Sequence, residues 1–182
     1  MIKYIFILLI GFLLPVTTGC TDTNLTHDIP LVPRPAHLVP GSGNYLFSDK
    51  TVFVVENEEQ AAVAASLISR FTNAAGFTPK LVVGATEKGD VRFVTDASLK
   101  SEAYSLEVSP EEIIVKASGD KGFFYALQTI RQLLPASIER ESLSDKKEKW
   151  SIPAMNVQDE PRFEYRALLL DASRFFIPKE NV

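Results

Sequence analysis

The chain has 182 residues, of which 46% are hydrophobic and 23% charged, a balance that is typical of a globular protein and excludes disorder over the whole length. The formal net charge is −4, from 19 basic and 23 acidic residues. Because the lysines and arginines are scattered along the sequence, it lacks the basic stripe that nucleic-acid binding requires, and nucleic acid is not expected as a partner.

The first twenty residues have the pattern of an export signal. Lys3 provides a positive start, residues 4–14 form an apolar run, and residues 17–19 lead to Cys20, the only cysteine. The apolar run is shorter than the roughly 20 residues of a membrane-spanning helix. The pattern resembles a bacterial lipoprotein signal, which implies cleavage after residue 19 and lipidation of Cys20. An ordinary signal peptide with an unmodified cysteine is the alternative.

The segment after the signal is predicted to be a tether. Residues 21–28 are polar and aperiodic, which favours a flexible connection to the folded part of the chain. A lone cysteine forms no internal disulfide, so the fold must be stabilised by its apolar core. The predicted location is therefore outside the cytoplasm, at a membrane through the lipid anchor, in the periplasm or on the cell surface.

A strand and a helix are the first elements predicted in the folded part. Residues 29–35 contain three prolines, which predict an extended start and exclude a helix there. Residues 51–55 form a β-branched run that indicates a strand, and Asn57 then caps a predicted helix that Gly76 ends. The apolar stripe of this helix consists of Ala61, Ala64, Ala65, Ile68, Phe71 and Ala75.

Four short strands are predicted before the second helix. Residues 80–83 and 91–95 carry short apolar strand patterns. Residues 104–108 alternate strictly between apolar and polar, and after a turn at residues 109–112 the chain returns through residues 113–117. This pattern predicts a β-hairpin.

The second helix has the clearest pattern of the chain. Residues 119–122 lead into a stripe at helical spacing that Pro135 ends, and its members are Phe123, Ala126, Leu127, Ile130, Leu133 and Leu134. Because a helix that packs on a sheet buries such a face, the stripe indicates core rather than a cofactor pocket. For residues 29–158 we therefore predict an α+β domain with a mostly antiparallel sheet and two helices on one face.

The last part of the chain differs from the predicted domain. Residues 137–149 are charged and aperiodic, which predicts a solvated loop. Order resumes at Trp150, and the run to Arg162 is extended. Residues 166–171 (RALLLD) form an apolar run with almost no alternation, which is typical of a strand buried on both faces in a parallel sheet or a barrel.

Three stretches carry a resemblance to a known family. Residues 161–178 (PRFEYRALLLDASRFFIP) look like the segment that opens the catalytic barrel of family 20 glycoside hydrolases, the β-N-acetylhexosaminidases. Residues 31–35 (LVPRP) and 122–130 (GFFYALQTI) resemble the start and a helix of the domain that precedes this barrel. The resemblance implies a preceding domain at residues 29–158 and an incomplete (β/α)8 barrel at residues 159–182.

The resemblance also implies roles for single residues. Arg166 matches the arginine of the family's Tyr-Arg-Gly motif, which implies that its guanidinium binds hydroxyls of a terminal N-acetylhexosamine. Asp171 and Arg174 match the family's Leu-Asp-x-Ser-Arg run and are interpreted as supports of the first barrel strand. The sequence departs from the family at Ala167, where glycine is usual, and at Phe175, where histidine is usual. The first change is mild, whereas the second replaces a polar ring with an apolar one, so different contacts are expected near the barrel mouth.

Catalysis in the family is expected to need residues that this chain lacks. The resemblance implies a substrate-assisted retaining mechanism with an adjacent Asp-Glu pair after a later barrel strand. Asp159 and Glu160 are adjacent but precede the first barrel strand, so we interpret them as a linker pair. Only about twenty residues follow Pro161, whereas an eight-stranded barrel needs about 200 or more. The chain alone is therefore predicted to have no catalytic residue and no hydrolase activity.

Two other functions are considered. Residues 29–158 could act alone as a surface-displayed carbohydrate-binding or scaffolding module. A zinc peptidase is excluded, because His27 and His37 are the only histidines and neither belongs to a His-Glu-x-x-His helix. No metal or cofactor is expected, and the expected partners are N-acetylhexosamine-containing glycans and the membrane.

Overall fold

The computed structural model describes residues 29–84, 88–144, 148–167, 169 and 178. In chain order its strands and helices are β1 (His37–Leu46), β2 (Val52–Val55), α1 (Glu58–Ala74), β3 (Lys80–Val83), β4 (Val91–Thr95), β5 (Tyr104–Val108), β6 (Ile113–Ala117), α2 (Asp120–Leu133), a short 3₁₀ helix (Ala136–Glu139) and β7 (Ser151–Asp159). Within these described residues, no helix is long and apolar enough to cross a membrane.

The seven strands form one sheet in the order β1-β7-β5-β6-β4-β2-β3. The pairings β1–β7, β7–β5 and β5–β6 are antiparallel, whereas β6–β4, β4–β2 and β2–β3 are parallel. The predicted α+β class with two helices is confirmed. The sheet is antiparallel over one half only. Helix α1 accounts for one of the parallel pairings, because it carries the chain from the end of β2 back to the start of β3.

Both helices pack on the same face of the sheet. Helix α1 contacts β2 and β3, helix α2 contacts β5, β6 and β7, and the two helices contact each other. Between helices and sheet lies one apolar core, whose largest fully buried side chains include Phe53, Phe71, Leu106, Ile113, Phe123 and Ile130. The predicted stripe of α2 therefore faces the core, as the periodicity required.

The ends of α1 follow from two residues outside it. The Asn57 side chain accepts a hydrogen bond from the Gln60 N–H at 2.9 Å and caps the first turn. Gly76 follows the helix with a φ of +75°, a conformation that glycine adopts without a steric penalty. Both predicted boundary residues of α1 are confirmed.

Candidate functional site

A cavity of about 630 Å³ lies between helix α2, the proline-rich start of the domain and the segment that follows β7. Two hydrogen bonds fix the proline-rich wall. The Val32 N–H donates to Gln132 Oε1 at 3.0 Å, and the Ala36 N–H donates to Asp159 Oδ1 at 3.0 Å. The start of the domain is thereby held against both α2 and the end of β7.

The inner wall of the cavity is a pair of buried hydroxyl groups. Tyr104 of β5 and Thr129 of α2 lie 2.6 Å apart between their oxygens, and the Thr129 hydroxyl also lies 3.3 Å from the Tyr125 carbonyl oxygen. Burial raises the pKa of Tyr104 to about 12, because the phenolate would lose its hydration there. At neutral pH this wall is therefore uncharged.

Tyr104 makes the stability of the domain sensitive to alkaline pH. The unfolded tyrosine ionises near pH 10 and the folded one near pH 12. Between these values only the unfolded state is stabilised by ionisation, so the free energy of unfolding falls by up to about 2–3 kcal/mol, whereas below about pH 9 this group has no effect. We expect Tyr104→Phe to flatten this part of the stability curve. Urea unfolding at several pH values from 8 to 12 tests this. If the free energy of unfolding fell equally with pH in wild type and variant, the prediction would be refuted.

Arg166 lies at the mouth of this cavity. Its guanidinium donates to Glu102 Oε2 at 2.9 Å and to the Tyr125 hydroxyl at 3.0 Å, and it lies over the Tyr125 ring, 5.9 Å from the centroid. Lys121 Nζ is 3.6 Å from Glu102 Oε1. The hydrogen bond from Arg166 lowers the pKa of Glu102, with smaller electrostatic contributions from Arg166 and Lys121, so the carboxylate is charged at neutral pH.

Arg166 is the one residue of the predicted site that the structure describes. Cys20, Asp171, Arg174 and Phe175 lie outside the described residues. The strand predicted over residues 166–171 is absent at residues 166, 167 and 169, and Leu169 is 92% exposed rather than buried. A barrel strand needs neighbouring strands to complete its hydrogen bonds, and the described part of the chain supplies none here.

The adjacent carboxylates Asp159 and Glu160 both have partners within the domain. Asp159 accepts the Ala36 N–H, and Glu160 forms an ion pair with Lys100 at 2.8 Å. These contacts hold the end of β7 against the domain; Asp159 is the last residue of that strand, and the linker interpretation of the pair stays a prediction. In the described ranges no group of three or more His, Cys, Asp and Glu side chains could hold a metal ion.

Sequence reasoning missed Glu102 and Tyr125. Glu102 lies in the loop before β5, where no periodicity distinguishes one carboxylate from another. Tyr125 is half-buried in α2 but lies off the apolar stripe of that helix. An aromatic residue outside the stripe is the signal that could have identified it. Their contact with Arg166 joins residues 64 and 41 positions apart in the sequence.

Comparison with known proteins connects this fold to an enzyme family. Residues 28–160 match the family description "Glycosyl hydrolase family 20, domain 2". A β-hexosaminidase of Porphyromonas gingivalis is 29% identical over 157 residues, which cover 85% of this chain and 20% of that protein. An N,N'-diacetylchitobiase of Vibrio harveyi is 27% identical over 160 residues, which cover 84% of this chain and 16% of that protein.

A solved structure gives the same result for the fold. The N-acetyl-β-hexosaminidase of Streptomyces plicatus in complex with thio-NAglucal matches with a TM-score of 0.72 and 28% identity, over 81% of this chain and 29% of that one. The chain therefore spans about a fifth of the length of the Porphyromonas relative and less than a third of the solved Streptomyces chain. Because the family match covers most of the sequence, the chain belongs to glycosyl hydrolase family 20, and residues 28–160 match its domain 2.

Proposed function

We propose that the chain is the N-terminal part of a β-N-acetylhexosaminidase that removes terminal N-acetylhexosamine residues from glycans. The observation that carries the proposal is the match of residues 28–160 to domain 2 of family 20, followed directly by a segment that resembles the start of the family's catalytic barrel. The named relatives are β-hexosaminidases and a chitobiase that are three or more times longer than the matched region.

The mechanism proposed for the full-length enzyme is substrate-assisted and retaining. The carbonyl oxygen of the substrate's own acetamide attacks the anomeric carbon, an aspartate orients the acetamide, and the adjacent glutamate protonates the leaving oxygen and then activates water. This Asp-Glu pair follows a later barrel strand in the family, so residues 1–182 do not contain it. The full active site therefore requires the rest of the barrel.

Arg166 is the proposed substrate-binding residue of this chain. Arginine suits hydroxyl binding because its guanidinium presents several donors in a fixed plane and stays charged. In the described structure the guanidinium donates to Glu102, to the Tyr125 hydroxyl and to the Phe163 carbonyl oxygen. Because a guanidinium has five N–H groups, sugar binding in the assembled barrel would use the remaining donors or replace some of these partners with substrate hydroxyls.

Export and lipid anchoring complete the proposal. Residues 1–20 would act as a lipoprotein signal, with an acyl group on Cys20, and residues 21–28 would connect the anchor to the domain. Metabolic labelling with radioactive palmitate tests this part. Wild type should be labelled and sediment with membranes, whereas Cys20→Ala should be unlabelled; an unlabelled wild type would contradict the anchor.

The enzymatic proposal is tested by comparing two proteins. The full-length product of the gene is expected to release chromophore from an aryl N-acetylglucosaminide, whereas the purified 182-residue chain is expected to release none above the no-enzyme rate. Activity of the shorter chain alone would contradict the proposal that the catalytic residues lie outside residues 1–182. An inactive but folded full-length protein would contradict the proposed activity itself.

One observation favours a second function. The elements from β1 to β7 enclose an apolar core of their own. Because a core of its own is the main requirement for independent folding of a domain, residues 29–159 are expected to fold as a separate domain. A stand-alone surface module that binds carbohydrate or serves as a scaffold would use such a domain. Retention of the purified chain on an immobilised chitin oligomer, together with a gene that ends near codon 182, would support this alternative.

A further inference from the structure

The face of the sheet that points away from the helices carries a hollow of about 310 Å³. Glu107 of β5, Ile114 of β6 and Asn156 of β7 line it, and each lies between buried residues of its own strand. Glu107 is paired with Asn156 on one side and with Ile114 on the other, so the three side chains form a row across the sheet. We call this site the sheet hollow.

An irregular part of β1 forms one wall of the sheet hollow. The register of β1 shifts within residues 40–44. A Cβ on Gly41 would lie 3.1 Å from the backbone of Ala154 in β7. A Cβ on Gly43, whose φ is +90°, would lie 2.9 Å from Pro110 Cγ in the turn between β5 and β6. The backbone of β1 therefore passes close over β7 and reaches that turn, as a β-bulge beside a functional site does.

The facing wall is the turn between β5 and β6, which hydrogen bonds hold in place. The Ser109 hydroxyl accepts the N–H groups of Glu111 and Glu112 at 3.2 and 3.0 Å. The Ser109 N–H donates to the Glu112 carbonyl oxygen at 2.9 Å. Because both walls are fixed by contacts within the domain, a ligand would not have to order them, which lowers the entropic cost of binding.

The charges of the sheet hollow cancel. Among the described residues its charged side chains are Glu107 and Glu112. Lys116 Nζ lies 2.6 Å from Glu107 Oε1, and each of these groups neutralises the other. Arg92 Nη2 lies 3.1 Å from Glu112 Oε2 in the same way. A charged ligand would therefore find no net attraction, whereas the second oxygen of each carboxylate can still accept hydrogen bonds from a neutral one.

Two further polar side chains are available to a ligand. In the part of the chain that the structure describes, Ser42 and Asn156 line the sheet hollow, are exposed and form no side-chain hydrogen bond. A hydroxyl and an amide each donate and accept, which suits a ligand with many hydroxyl groups. Pro110 and Ile114 add apolar surface for the C–H groups of a sugar ring. The strand backbones under the hollow already pair within the sheet, so a peptide could not bind there by adding a strand.

We propose that the sheet hollow binds a neutral oligosaccharide, whose hydroxyl and acetamide groups contact Glu107, Asn156 and Ser42. The choice of an N-acetylhexosamine-containing chain rests on the proposed function. Arg166 contacts helix α2, whereas the sheet hollow lies on the face away from both helices, so this glycan site is separate from the proposed catalytic pocket. A glycan held there stays at a high local concentration near the enzyme between successive removals of its terminal residue.

Titration of the purified 182-residue chain with triacetylchitotriose, followed by amide shifts in NMR spectra, tests the proposal. This chain lacks the proposed catalytic pair, so the full active site does not contribute to the binding. The expected Kd is about 1 mM, since only a few hydrogen bonds contribute. The shifted amides should cluster at residues 41–43, 107–114 and 154–156.

Two variants locate the binding. Asn156→Ala should raise the Kd at least about threefold, because it removes one hydrogen-bonding group at the surface without changing the core. Ser42→Arg should abolish binding, because its long side chain fills the hollow. Gln158→Ala is the matched control, since Gln158 is exposed on the same strand but does not line the hollow. Gln158→Ala and Arg166→Ala should both bind as wild type does.

The outcomes separate this proposal from the proposed function. If the 182-residue chain does not bind triacetylchitotriose, or if Asn156→Ala and Ser42→Arg bind it as wild type does, the sheet hollow is not a glycan site. Hydrolysis of the aryl N-acetylglucosaminide by the full-length protein would then still support the enzymatic proposal. If both variants lose binding but the full-length protein has no hydrolase activity, the glycan site stands and the proposed activity is wrong.

Discussion

Gly122→Ala is expected to lower the free energy of unfolding by about 2 kcal/mol or more, since overpacking a core contact costs about 1–3 kcal/mol. A Cβ at this position would lie 2.4 Å from the Ala103 carbonyl oxygen and 2.8 Å from the Ala117 Cβ. The first turn of α2 therefore approaches the sheet closely, and the two obstacles are the backbone of Ala103, just before β5, and the side chain of Ala117 in β6. Urea unfolding of the purified 182-residue chain measures the change.

Gly119→Ala is the matched control for this prediction. Gly119 is the N-cap of the same helix, its backbone is extended, and a Cβ there would meet nothing within 4 Å. The expected loss is below about 1 kcal/mol, which is the usual range for alanine at an N-cap. Equal unfolding midpoints for the two variants would contradict the prediction, because they would show that a Cβ at position 122 is tolerated despite the close approach of α2 to the sheet.

Arg166→Ala is expected to lower kcat/KM of the full-length enzyme by roughly a hundredfold to ten-thousandfold. Two charge-assisted hydrogen bonds to substrate hydroxyls are each worth about 1.5–3 kcal/mol, and about 1.4 kcal/mol corresponds to a factor of ten. Arg166→Lys should recover little of this loss, because an ammonium group does not reproduce the planar set of donors. Initial rates with an aryl N-acetylglucosaminide measure the effect.

Glu102→Gln separates a substrate role of Arg166 from a purely structural one. This change removes the ion pair with Arg166 and the nearby charge partner of Lys121 but leaves the guanidinium in place. An exposed ion pair contributes about 0–1 kcal/mol, so most of the activity should remain. If Glu102→Gln lost as much activity as Arg166→Ala, the arginine would act through its contact with the domain rather than through the sugar.

The local sequence pattern was sufficient to predict both helices and part of the sheet. Asn57 and Gly76 marked the limits of α1, and the stripe from Phe123 to Leu134 identified the buried side of α2, because both signals lie within a few residues of the structure they specify. The hairpin of β5 and β6 follows from strict alternation in the same way. These elements needed no information from distant parts of the chain.

Strand β1 and the parallel half of the sheet were not predicted. Pro40, Gly41 and Gly43 interrupt β1, and the register shifts between Pro40 and Asn44, so the strand exists only because β7 pairs with both of its parts. The order of the remaining strands depends on pairing between distant segments, which periodicity does not encode. The contacts of Arg166 with Glu102 and Tyr125 were inaccessible for the same reason, since they are tertiary contacts.

The size of the native protein tests the central claim most directly. An antibody raised against residues 43–158 should detect, in an immunoblot of the membrane fraction, a band well above the 20.2 kDa of this chain, because the account requires a catalytic barrel of about 200 residues or more after the domain. A single band at or just below 20.2 kDa would contradict it, since the cell would then make the domain without the enzyme.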